Sequence, residues 1–299
     1  MLKKQDSYAR IYTLTLYGGE NKMIIKKKRF DEERAFYGSE NVNLSECEFS
    51  GAADGESAFK ESRNILAEKC QFKLRYPFWH CFGVDVRESI FSNTCRAPLW
   101  YSKSINISMS SLHGTKAIRE CRDVEIKNTD IISDEFGWYS DGVEIANSSL
   151  SGEYALMRSK NLKFKSFSLN GKYSFQYIEN ATFESCNLDT KDAFWHAKGV
   201  TVKNCRVKGE YLAWYAEDIT FINCKIIGTQ PLCYCHGVRI IDCEMIDTDL
   251  AFEKSDVQAT ITSPVISIKN PRCGRIELPS GADVILDDPN SKCEIVFKD

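Results

Sequence analysis

The sequence predicts an all-β fold, a single-stranded right-handed parallel β-helix with three short strands in each coil of about nineteen residues. Three observations predict it. An apolar pair separated by one residue recurs at a fixed interval along most of the chain. The residue just before that pair is Asn, Asp or Gly in eleven of the twelve units from Val42 to Val257. These residues tolerate the left-handed backbone of a sharp corner. All five tryptophans fall at one position of the unit, five residues before the pair.

The pair anchors each unit. From Ile105 it starts at Val124, Val143, Leu162, Ala181, Val200, Ile219, Val238 and Val257, nineteen apart each time. Upstream it continues at Val84, Ile65, Val42 and Met23, with gaps of twenty-three after Val42 and twenty-one after Val84. Downstream, Ile276 and Ile295 keep the interval but lose most of the motif. Val200 and Val202 alternate with polar residues and form one face of a short strand. Asn204 marks a bend, and Cys205 and Val207 repeat the alternation in a second strand. The third strand lies upstream of the anchor, as at Ala193–His196 or Pro98–Tyr101. Helical repeats need about thirty residues or more per unit, and the leucine-rich frame is absent. Handedness follows that of parallel strand crossovers. Thirteen to fifteen coils stacked about 4.8 Å apart give a rod roughly 60–70 Å long.

The period divides the chain into regular coils over residues 23–263, degenerate C-terminal coils or a cap over 264–299, and a segment outside the repeat over 1–22. In that first segment Lys3 and Lys4 precede Ile11–Tyr17, which Thr13 and Thr15 interrupt, and no small-residue cleavage pattern follows. This argues against a signal peptide. Gly18-Gly19-Glu20 can be encoded by purine-rich codons resembling a bacterial ribosome-binding site. Met23 therefore reads as the start, and residues 1–22 as a disordered leader. The net charge of −3 gives no electrostatic reason to bind nucleic acid or an anionic membrane. No apolar run approaches the ~18 residues that span a bilayer.

The repeat accounts for most of the thirteen cysteines. Cys47, Cys70, Cys186, Cys205, Cys224 and Cys243 share one inward position, which Ser89, Ser110, Thr129 and Ser148 fill in other coils. Cys81, Cys121 and Cys235 share another. Both read as ladders of small reduced thiols, which implies a reducing, cytoplasmic compartment. Cys233-Tyr234-Cys235 has neither C-x-x-C spacing nor a second ligand pair, so no metal and no cofactor is expected.

Two adjacent columns carry the candidate chemistry. Trp79, Trp100, Trp138, Trp195 and Trp214 occupy one, joined by Tyr37, Met157, Cys233 and Phe252, and by Lys60, Arg119 and Gln176. The next position holds His80, Tyr101, Glu120, Tyr139, Arg158, Tyr177, His196, Tyr215, Tyr234 and Glu253. The residue before the tryptophan, such as Phe78, Leu99 or Phe194, reads as core. Alternation then turns the tryptophans outward, and a corner after them turns the second column outward as well. Which of the two faces solvent more fully is open at this point.

Flat rings with polar tips suit sugar rings. The substrate-binding candidates are Trp138, Tyr139, Trp195, Trp214 and Tyr215, with an oligosaccharide as partner, acidic on account of Arg158 and His196. Glu120, Arg158, Tyr177 and His196 are the candidate catalytic residues. A β-eliminating lyase needs a base, a charge neutraliser and a proton donor, and His196 or Tyr177 with Arg158 as carboxylate clamp supplies those types. Paired acids for hydrolysis are missing, because the column of Glu120 has no second acid nearer than Glu253. The Gly-His-Gly and Arg-Ile-Lys signatures of polygalacturonase-like enzymes are also missing from the repeat body. Asp287-Asp288 lies in the degenerate end without a Gly-His-Gly partner.

Several long stretches carry a resemblance. They are Phe30 to Gly38, Ala53 to Ala58, Arg96 to Ser102, Asp192 to His196 and Gly228 to Cys235. Through them the chain from Phe30 onward resembles a bacterial family known only as a domain of unknown function, numbered 3737. The resemblance implies a pectin-lyase-like right-handed β-helix and no catalytic residues. The expected function is carbohydrate recognition or processing along the aromatic face. An oligosaccharide lyase and a non-catalytic protein-interaction scaffold are the alternatives.

Overall fold

In a computed structural model, residues 14–17, 20–51 and 56–298 are described. No described residue is helical. The two-residue alternation builds what it predicts. The anchor pairs form one long parallel ladder of fifteen strands, from Glu20–Lys26 to Glu294–Lys298. Anchor stacks on anchor: Val124 on Val143, Val143 on Leu162, Ala181 on Val200, and Val200 on Ile219. A second parallel ladder follows each bend, with Leu188 opposite Val207 and Val207 opposite Ile226. On the third side Phe78–Trp79, Leu99–Trp100 and Ile118–Arg119 are strands, as are Ser267–Lys269 and Asp283–Ile285 near the C-terminal end. The coils between run through turns there, because alternate residues such as Tyr173, Phe175 and Tyr177 have φ of 59°, 61° and 57°. These turns still bond from coil to coil, as in Tyr177 N–H to Trp195 O at 2.8 Å.

The corners fall where the sequence places them. From Asn41 to Gly237, the residue before each anchor has φ between 52° and 72°. The bend four residues after the anchor, at Asn204 for example, is left-handed as well. Asparagines at these corners also stack: Asn180 Nδ2 donates to Asn161 Oδ1 at 2.8 Å, and Asn223 Nδ2 to Asn204 Oδ1 at 2.9 Å.

The inward columns form one continuous core. Val143, Ile145, Leu162, Phe164, Val200, Val202, Phe221 and Ile240 are all buried, as the frame requires. Phenylalanines stack along it. Phe30, Phe49, Phe72 and Phe91 lie 5.2, 5.1 and 4.7 Å apart on the second ladder, and Phe36, Phe59 and Phe78 lie 5.0 and 5.1 Å apart on the third side. Each fully buried ring of this size contributes roughly 1.5–3 kcal/mol.

The frame slips toward the C-terminal end. Phe252 is buried and its N–H bonds Pro231 O, so it continues the core column of Leu232. Glu253 takes the place beside Cys233 that the spacing gives to Phe252. Farther on, Gly274 stands opposite Val257 and Ile276 opposite Ala259, so Ile276 is two residues out of the nineteen-residue frame. Of the leader expected over residues 1–22, residues 1–13, 18 and 19 lie outside the described residues. Leu14–Tyr17 pairs antiparallel with Glu20–Lys26 and covers the backbone edge of the first coil.

The cysteine columns do more than fill space. At the bend, a thiol or hydroxyl accepts the N–H of the preceding coil. Cys70 N–H donates to Ser89 Oγ at 2.9 Å, Ser89 N–H to Ser110 Oγ at 3.0 Å, and Cys186 N–H to Cys205 Sγ at 3.2 Å. The same group donates to a carbonyl two residues back, as Cys205 Sγ does to Lys203 O at 3.1 Å. The second column repeats the device, with Cys121 N–H on Ser140 Oγ at 3.2 Å and Cys81 N–H on Ser102 Oγ at 2.9 Å. The position therefore selects small side chains that donate and accept, which satisfies corner amides that would otherwise be buried unpaired. Burial pushes the thiols of Cys81 and Cys235 up to about 12 and that of Cys121 up to about 11, which suppresses the reactive thiolate. All thirteen cysteines are free, Cys273 being exposed and Cys293 half-buried. Thiol titration of the native protein is expected to find about these two. Titration in denaturant with air excluded is expected to find nearly all thirteen. Recovery of half or fewer in denaturant contradicts the ladder.

Candidate ligand-binding face

The third side turns sharply just after the tryptophans. His80, Tyr101, Glu120, Tyr139, Arg158, Tyr177, His196, Tyr215 and Tyr234 all have φ between 53° and 62°. The corner aims these side chains away from the rod, so the column after the tryptophans is the more exposed of the two. Tyr139 is 49% exposed and Tyr215 44%, whereas all five tryptophans are half-buried.

The tryptophans serve the coils. Trp138, Trp195 and Trp214 donate Nε1–H to the carbonyls of Tyr154, Tyr211 and Gln230 at 2.5, 2.7 and 2.7 Å, each sixteen residues on. Gln176, in the same column, makes the same bond to Asp192 O at 3.0 Å. Trp195 and Trp214 stack at 5.6 Å with their planes 5° apart. At two ringless positions of the column a cation covers the neighbouring tryptophans. Lys60 Nζ sits 4.5 Å from the centre of Trp79, and the Arg119 guanidinium lies 5.8 Å from Trp100 and 5.3 Å from Trp138. Trp79 and Trp100 differ from the rest, because their buried Nε1–H groups have no partner among the described residues.

The outer column is a stack of rings. Tyr177, His196, Tyr215 and Tyr234 follow one another at 4.8, 5.0 and 5.1 Å, with planes 8°, 8° and 15° apart. His80 and Tyr101 form a shorter stack at 4.9 Å. Arg158 extends the longer one, its guanidinium 4.7 Å from the Tyr177 ring. The far end is tied by Tyr234 OH to Glu253 at 3.2 Å, and burial with that carboxylate pushes the Tyr234 phenol up to about 12. Rings in this arrangement cover each other's faces and turn their edges to solvent. The surface they offer is a line of phenol hydroxyls and an imidazole edge.

Arg158, Tyr177 and His196, three of the four catalytic candidates, therefore stand as consecutive rungs. Glu120 is separated from them by the rung of Tyr139. A groove of about 360 Å³ opens at Glu120, lined by Tyr101, Glu120, Arg122 and Tyr139. A larger one, about 500 Å³, lies on the outer side of the anchor ladder between Glu125 and Lys203. Its charges are largely spent on each other, with Lys163 Nζ on Glu144 at 2.6 Å and Lys127 on Glu125. No group of three or more His, Cys, Asp or Glu among the described residues is placed to hold a metal ion.

A family of proteins of unknown function, DUF3737, matches residues 23–296. The chain belongs to that family. Its match begins at the first anchor, Met23. Among solved structures the chain is similar to PfbA, a surface adhesin of Streptococcus pneumoniae, with 8% identity and a TM-score of 0.42 over 89% of this chain and 82% of the adhesin. It is also similar to ORF18 of Geobacillus virus E2, with 10% identity and a TM-score of 0.30 over 86% of this chain and 56% of that protein. The plasmid-mediated fluoroquinolone resistance protein QnrB1 is a more distant likeness, at 14% identity and a TM-score of 0.16 over 79% of this chain and 89% of that one. No curated protein matches the chain.

Proposed function

We propose that the chain is a carbohydrate-recognition rod that binds an oligosaccharide along its outer column. The observation that carries this is the in-register run Tyr177, His196, Tyr215 and Tyr234, which holds polar ring edges 4.8–5.1 Å apart. That spacing is close to the length of one sugar unit. The edges are rigid, because each ring is held by its neighbours, so little side-chain entropy is lost on binding. Arg158 at one end favours a ligand that carries acidic groups. Recognition is favoured over cleavage, since His196 lies between two rings with only its edge free and the nearest acid of its column toward the N-terminus, Glu120, is four coils away. The stacked three-sided coils support placing the rod with the pectin-lyase-like class, and the buried free thiols support the bacterial cytoplasm.

A glycan array followed by fluorescence titration of the best oligosaccharide tests the reading. Tyr215→Ala breaks the line of edges and is expected to weaken binding of a tetrasaccharide or longer chain by about 1–3 kcal/mol. Thr201→Glu, on the outer side of the anchor ladder, is expected to leave it unchanged. An array without hits, or a Tyr215→Ala protein that binds as tightly as the parent, overturns the proposal.

A further inference from the structure

The outer column has one open rung. Tyr101 and Tyr139 lie two coils apart, roughly 9.6 Å at the rise of stacked strands. Between them stands Glu120, a short carboxylate where neighbouring coils carry a ring. Every other rung from Tyr177 to Tyr234 has a ring on its neighbour at about 5 Å, so ring faces there are covered. At Glu120 the groove of about 360 Å³ leaves room between two tyrosines and has polar groups at its base and rim. Arg119 Nε stands 3.5 Å from the Glu120 carboxylate with its guanidinium 5.9 Å from the Tyr139 ring, and Arg122 lines the groove.

We propose that this slot takes the terminal sugar ring of the bound oligosaccharide as the missing rung, a reading that rests on the carbohydrate-recognition proposal above. A ring placed midway has about 4.8 Å on each side. That is the spacing the stacked rings of this column keep, and it admits a puckered ring with hydrogens on both faces. Glu120 accepts hydroxyl hydrogens and Arg122 donates to hydroxyl or ring oxygens, the mixed set that orients a sugar. A simple organic cation meets Arg119 and Arg122, and a simple anion meets Glu120, so neither fits as well. Glu120 and Arg122 line the groove between the two tyrosines, so the inserted ring fits best with one edge free of linkage. A chain end meets that condition and a mid-chain ring linked at opposite edges does not. The rest of the chain then runs past Tyr139 and Arg158 toward the ladder from Tyr177.

The test uses the full chain and the array-selected oligosaccharide, its own terminal monosaccharide, and the same oligosaccharide with the terminal ring opened, at each end separately. Glu120→Phe fills the open rung with the chain's own ring. It is expected to lower oligosaccharide affinity at least tenfold and to abolish monosaccharide binding. Thr201→Glu is expected to leave binding of both ligands as it is. Opening one of the two terminal rings is expected to cost as much as Glu120→Phe. If Glu120→Phe binds both ligands like the parent while Tyr215→Ala still weakens the oligosaccharide, the slot is overturned and the recognition reading stands. If no oligosaccharide binds the parent protein, both fall. Folding of Glu120→Phe is checked by its melting temperature, and Glu120→Gln, which keeps the shape of the groove, is expected to weaken binding less than Glu120→Phe. Equal loss in the two variants overturns the role of the open space.

Discussion

Val202→Asp is expected to prevent soluble expression or to unfold the rod around its coil. Val202 is fully buried and stands in register between Phe183 and Phe221. A carboxylate there meets only apolar side chains. The effective penalty for an unpaired buried ion is several kcal/mol, against a total stability of about 5–15 kcal/mol for an ordinary domain. In a stacked-coil protein each coil is held by its neighbours alone, so the damage spreads along the rod. Thr201→Asp, one residue earlier and facing outward, is the matched control and is expected to fold. Expression yield and circular-dichroism melting of the two proteins give the comparison. A soluble, normally melting Val202→Asp protein contradicts the inward frame.

Phe194→Ala is expected to cost about 3–5 kcal/mol in urea unfolding, the usual range for deleting a buried ring. Phe194 stacks on Phe175 at 5.2 Å and meets Phe183 edge-on at 5.3 Å. Its backbone leads directly into Trp195 and His196, so the cavity also loosens the outer column. Oligosaccharide binding is therefore expected to fall together with stability. A loss under about 1 kcal/mol would show that the third side does not share the core.

The architecture was legible because each coil repeats one pattern. Alternation at Val200 and Val202 gave the inward face, and Asn180 or Gly199 before the anchor gave the left-handed corner. The slips at Phe252 and Gly274 were not legible. In each, a local change of length is absorbed within the coil, and sequence spacing alone does not show where. The cysteine columns read as small residues, and their hydrogen-bonding role emerged only from Cys70 on Ser89 and Cys186 on Cys205. Their exchange with Ser and Thr, and not only with Ala, was the available signal.

The candidate site was legible as a place, and which of its two columns faces solvent more fully was left open. The sequence located the two columns, but spacing carries no side-chain torsions. Only the geometry shows that Tyr177, His196 and Tyr215 turn edges outward and that Trp195 and Trp214 cover each other. The tryptophans' bonds to carbonyls sixteen residues on also went unseen, although Gln176 in the same column hinted at a donor role. Glu120 entered as an isolated acid among catalytic candidates. In the proposed slot it stands where a ring is missing between Tyr101 and Tyr139.

The most direct measurement is a crystal structure of the protein soaked with the array-selected oligosaccharide. The account predicts sugar density along the edges of Tyr177, His196 and Tyr215, with the last ring between Tyr101 and Tyr139. Density confined to the groove beside Glu144, Lys163 and Thr182 on the anchor ladder, or an outer column left bare by a ligand that binds in solution, would contradict it.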